Sequence, residues 1–124
     1  MTTGLTGLMT TRQVLEHHLE TLLKGDLDGL VSDYTDDSIL IGPDGPVKGM
    51  QAIRTMFAGA IASLFKPGTY EFTLDKTHVA DDVAYIVWHA RCGSLNVALG
   101  TDTFVVRDGK IAVQTFAAKI ESAG

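Results

Sequence analysis

The second half of the sequence constrains the fold most. From about residue 69 onward it reads as four strand-length runs, at about 69–80, 83–93, 96–107 and 110–120. The breaks are Asp81-Asp82, Gly93-Ser94-Leu95-Asn96 and Arg107-Asp108-Gly109. These are residues that turn a chain, and Asp-Gly between alternating runs is a strong hairpin signal. Breaks this short leave no room for a crossover, so consecutive strands are expected to lie antiparallel as a meander.

The first half reads as helices. Thr10 or Thr11 caps a helix of about three turns, with Val14, Leu15, His18, Leu19, Leu22 and Leu23 on one face and Gly25 as its stop. Asp26 caps a second, from Leu27 to about Tyr34. Ser38 to Ile41 is a short strand, and Val47-Lys48 a brief return. Gly42-Pro43-Asp44-Gly45-Pro46 between them reads as turn throughout, since its prolines and glycines oppose a ladder. A third helix runs from Met50 to about Phe65, burying Ile53, Met56, Phe57, Ala60, Ile61 and Leu64. Helices first and a meander after predict an α+β domain, a curved sheet packed on one face by three helices. The expected domain is 11–124, preceded by a loosely held, Thr/Gly-rich arm, 1–10.

Charge and cysteine content exclude several functions. The net charge is −5 and the ten basic residues are scattered, which argues against nucleic acid as a partner. No apolar run approaches the roughly 20 residues of a membrane span, and the N-terminus lacks the pattern of a secretory signal. Cys92 is the sole cysteine, which fits a cytoplasmic protein. No metal-binding or phosphate-cradling motif occurs, so neither metal nor nucleotide cofactor is expected. His17 and His18 project about 100° apart on a helix and cannot chelate one ion.

Asp102 stands out because strands disfavour Asp. A carboxylate there must pair, lose its charge or face water. A two-residue turn at Leu95-Asn96 would set His89 opposite Asp102, with Cβ atoms about 5 Å apart. That pair is the predicted acid/base dyad; a slip of one residue would flip it to the other face. The strand has two faces, Tyr85, Val87, His89 and Arg91 against Ala84, Ile86, Trp88, Ala90 and Cys92. Gln114 faces the same side as Asp102 if the last turn carries a glycine bulge, and Thr115 does if that turn is tight.

These local words resemble a known family. They are Gly25-Asp26-Leu27-Asp28-Gly29-Leu30, Tyr34-Thr35-Asp36-Asp37-Ser38, Gly49 opening a helix through Phe57, and Asp102 to Ile111. In that order the chain resembles the nuclear transport factor 2-like superfamily, in its SnoaL-like and ketosteroid-isomerase-like branches, over about 11–120. The resemblance implies a cone-shaped curved antiparallel sheet wrapped over three helices, a pocket at the open end, and a homodimer through the outer sheet face. It implies a hydrophobic, oxygenated small molecule as ligand, and isomerisation, cyclisation or dehydration as possible chemistry, with non-catalytic binding as the alternative.

The resemblance also carries residues. The isomerase general base falls on Gly42, the oxyanion-hole Tyr on Leu19 and a supporting Tyr on Phe57, so these parts are absent. Tyr34 is kept, and the second oxyanion-hole member falls on Asp102. The family register favours Tyr85, His89 and Arg91 inward, with Ile86 and Trp88 on the dimer face; the reverse reading puts Trp88 in the pocket and Arg91 in solvent. Asp102 and His89 are then the expected catalytic residues. Tyr34, Phe57, Tyr85, Arg91, Phe104, Gln114, Phe116, His18 and Leu19 are the expected ligand-binding set.

Overall fold

The structure is a computed structural model and describes residues 8–122. Most of the expected arm, residues 1–7, lies outside the described residues. Met9 already packs against the core, and Thr10 is the first helix cap.

Helix α1 spans Thr11–Lys24. Thr10 accepts the Gln13 backbone N–H while the Gln13 side chain accepts that of Thr10, a reciprocal cap. Its buried face is Val14, Leu15, His18 and Thr21. Helix α2, Leu27–Val31, is shorter than the sequence suggests. Helix α3, Met50–Ala62, also stops early and buries Ile53 and Phe57.

The strands are β1 (Ile39–Gly42), β2 (Gly45–Lys48), β3 (Glu71–Ala80), β4 (Val83–Cys92), β5 (Leu95–Arg107) and β6 (Lys110–Ser122). They form one sheet in the order β2-β1-β6-β5-β4-β3. All neighbours are antiparallel except β1 and β6, which run parallel. The expected turn from Gly42 to Pro46 is shorter: Gly42 pairs with Gly45 and Ile41 with Pro46. Pro46 is tolerated because β2 is an edge strand.

Three extra residues bend this sheet. Asp75 interrupts β3, Ala98 interrupts β5 and Ala112 interrupts β6. Each bulge kinks its strand and raises the local twist, which curves the sheet around the helices. The apolar stripes of α1 and α3 meet Ile86, Phe104, Val106 and Ile111 to make the core.

The bulge at Ala98 also decides which face carries Asp102. The β4–β5 turn is Gly93-Ser94, with Gly93 at φ 72, and not Leu95-Asn96. Next to it Arg91 faces Asn96 and Ala90 faces Val97. Continued without interruption, that register would set Tyr85 against Asp102. Ala98 shifts it by one, and Ile86 faces Asp102 instead. His89 therefore does not meet Asp102; its partner on β3 is Thr73.

The faces of β4 are the reverse of the favoured expectation. Ala84, Ile86, Trp88 and Ala90 are buried inward, while Tyr85 and Arg91 are exposed outside. The simple rule that an antiparallel strand buries its apolar face holds here. The apolar set that motivated a dimer through the outer face is consequently inside the cone. Among the described residues, no helix is long and apolar enough to cross a membrane.

Candidate functional site

A cavity of about 160 Å³ lies between α1, α3 and the concave side of the sheet. Its wall is largely apolar: Leu19, Leu22, Met56, Phe57, Phe65, Phe72, Ile86, Trp88 and Phe116 contribute. The polar lining side chains are His18, Asp102 and Gln114, together with the indole N–H of Trp88. Few polar groups in an apolar hollow are the usual make-up of a small-molecule site.

Asp102 is the centre of the polar cluster. Trp88 Nε1 donates to Asp102 Oδ1 at 2.8 Å, and Gln114 Nε2 donates to Oδ2 at 2.9 Å. Burial pushes the Asp102 carboxyl above the usual carboxylate range, and the two hydrogen bonds pull it back in part. Neither donor is charged, so the carboxyl is held in place without a counter-ion.

Two glycines make room for this arrangement. Gly100 lies opposite Trp88, and a Cβ there would fall 2.2 Å from the indole. The missing side chain lets the indole lie across β5 and reach Asp102. Gly42 plays the same part for Phe116, since a Cβ would sit 2.6 Å from its Cε1. The aromatic ring thus covers the place into which a side chain at 42 would project.

Behind Gln114 stands Tyr34. Its buried hydroxyl donates to Gln114 Oε1, and His18 Nδ1 lies 3.4 Å from the Tyr34 hydroxyl oxygen. Burial, then repulsion from His17, lowers His18 to about 3, so its ring is neutral. It packs edge-on against Phe104 at 5.0 Å and Phe57 at 5.8 Å. His17 turns away, pairing with Asp33 at 2.7 Å.

The expected site residues therefore divide. Asp102, Gln114, His18, Leu19, Phe57 and Phe116 line the cavity. Tyr34 supports it from behind Gln114, and Phe104 lies in the core under His18. Tyr85, His89 and Arg91 are corrected to the outer face. Tyr85 stacks on His78 at 6.5 Å, His89 Nδ1 donates to Asp75 Oδ2 at 2.7 Å, and Arg91 lies 3.7 Å from Glu71. Gln114 faces inward by a route not expected: the Asp108-Gly109 turn is tight, and the bulge at Ala112 restores the face. Trp88, which only the less favoured reading of the strand puts in the pocket, lines the cavity and is absent from the expected set. Among the described residues, no group of three or more His, Cys, Asp or Glu could hold a metal ion.

Residues 15–114 match the SnoaL-like domain family. The chain belongs to that family.

Solved structures share the fold of this SnoaL-like domain. A nuclear transport factor 2-like protein of unknown function from Cytophaga hutchinsonii superposes with a TM-score of 0.73 at 10% identity, over 90% of this chain and 91% of its own. A Kribbella flavida protein proposed to be a ketosteroid isomerase gives 0.74 at 16% identity, over 92% of this chain and 80% of its own. A Shewanella putrefaciens protein proposed to be a SnoaL-like polyketide cyclase gives 0.70 at 12% identity, over 94% and 86%. At such identities the likeness is one of fold, the cone of helices and curved, unclosed sheet. This SnoaL-like domain holds Asp102 inside its cone, with Trp88 and Gln114 as its donors.

Proposed function

We propose that this SnoaL-like domain is a small-molecule enzyme that moves a proton with Asp102 on a hydrophobic, oxygenated substrate. One observation carries the reading: a carboxyl lining an apolar cavity, held by two neutral donors and lifted above its usual range by burial. A lifted carboxyl can give its proton to a carbonyl or enolate oxygen and take one back, which is the chemistry of cyclisation, isomerisation and dehydration. A cytoplasmic setting and a homodimer belong to the same proposal. The first is motivated by the single cysteine and the second only by the family.

A second reading is favoured by Gly42 and Phe116. With the position of an isomerase base closed by an aromatic ring, the cavity can serve as a binding site without turnover. Turnover of a panel of β-hydroxyketones, unsaturated ketosteroids and aromatic polyketide esters separates the two. On the enzymatic reading, Asp102→Asn lowers kcat at least about 100-fold while ligand still binds. Binding without turnover across the panel, or turnover untouched by Asp102→Asn, overturns it.

A further inference from the structure

A second polar atom faces the same cavity, and the hydrogen bonds behind it fix what it can do. Gln114 turns its NH₂ toward Asp102, so its carbonyl end is turned to Tyr34. The Tyr34 hydroxyl donates to that carbonyl. A hydroxyl has one proton to give. Toward His18 Nδ1 the Tyr34 oxygen can then only accept, so Nδ1 carries the single proton of the neutral ring. His18 Nε2 is left with a bare lone pair. None of the hydrogen bonds among the described residues reaches it. It is not one of the fully covered atoms without a partner, so it keeps access to the cavity, in whose wall His18, only 2% exposed, stands. An acceptor left unpaired in an apolar wall is unfavourable, and a ligand that donates to it recovers the loss.

We propose that His18 Nε2 is the anchoring acceptor of the site, and that the ligand is an apolar molecule bearing a phenolic or enolic hydroxyl that donates to it. This rests on the reading of the Asp102 cavity as the ligand site. It narrows the substrate class from oxygenated molecules to those with a hydroxyl. An ammonium group would be drawn to the Asp102 carboxyl, whereas a neutral imidazole suits a neutral donor. The hydroxyl end thus binds at α1, and the Asp102 carboxyl addresses a different part of the same molecule.

The probes are 2-naphthol and naphthalene, with binding read from the fluorescence of Trp88, the only tryptophan, which lines the cavity. The wild type is expected to favour 2-naphthol. His18→Asn keeps an amide N–H near Nδ1 for Tyr34 but removes Nε2. It is expected to bind naphthalene as before and to lose about tenfold of the preference. Comparing variants cancels the unequal hydration of the two probes. His18→Gln returns a carbonyl oxygen near Nε2 and is expected to restore part of the preference. If His18→Asn misfolds, His18→Leu carries the test, since it removes Nε2 from a buried apolar wall at similar volume: it is expected to lose the preference, and a preference that survives there overturns the proposal equally. A preference that survives in His18→Asn overturns the proposal. If Asp102→Asn abolishes that surviving preference, the hydroxyl binds Asp102, and the cavity reading stands without the His18 anchor. If the wild type binds neither probe, the cavity reading fails and the anchor falls with it.

Discussion

A carboxylate and an imidazole lie on each side of the sheet, the inner imidazole on α1 and the outer one on β4, and the two sides differ in almost everything except bond length. Inside the cone, Asp102 accepts from Trp88 at 2.8 Å. Outside, Asp75 accepts from His89 at 2.7 Å. The two donors are neighbours on β4, pointing to opposite faces. The outer pair is solvated, with side chains 37% and 44% exposed. The inner carboxyl is shifted by burial, and the inner imidazole, His18, is driven to about 3. A short bond by itself says little about chemistry. What loads a group is the loss of water around it, which favours its neutral form.

The largest expected effect sharpens the contrast between the two histidines. The folded-state pKa of His18 lies below its ordinary value of 6.5, so the stability it secures is present above pH 6.5 and is lost on acidification toward about 3. Falling from pH 6.5 to 4 should cost roughly 3 kcal/mol from this residue. Urea denaturation across that range is expected to show the acid slope flattened in His18→Asn and retained in His89→Asn. The same slope in both variants would erase the distinction.

A somewhat smaller effect tests how the inner carboxyl is held. Gly100→Val puts side-chain atoms where the Trp88 indole lies, so Trp88 must leave Asp102. The expected loss is about 2–3 kcal/mol in unfolding free energy, accompanied by a red shift of Trp88 emission as the indole meets water. An unshifted spectrum with full stability would mean that the close approach at Gly100 is unimportant.

The smallest effect sets the two carboxylates directly side by side. Asp102→Ala leaves the Trp88 and Gln114 donors without their acceptor and is expected to cost about 1–2 kcal/mol. Asp75→Ala breaks a solvated pair and is expected to stay within about 0.5 kcal/mol. Equal losses in the two variants would break the comparison.

Much of the fold was legible in the residues. The Thr10 cap, the apolar stripe of α1 and the Gly25 stop gave the first helix nearly residue for residue. The turn signals located all four long strands to within a few residues. Asp102 was recognisable because a carboxylate is out of place in a strand. The pairing of Asp102 with His89 failed because it depended on register, which is not a local property. Trp88 was assigned outward on family grounds, although the alternation of Ala84, Ile86, Trp88 and Ala90 already pointed inward.

The sequence by itself determined the elements, their order and the two-sided character of β4, since helix and strand periodicity are carried by neighbouring residues. Only the tertiary structure decided which carboxylate entered the cone. That choice came from one extra residue at Ala98, a small apolar residue with no signal of its own. Side chains alternate along a strand, so a shift of a single position moves everything beyond it to the other face. The bulge is fixed by how β5 pairs with β4 and β6 at once, and through it Asp102 lies beside Trp88 in the cavity instead of beside Tyr85 outside.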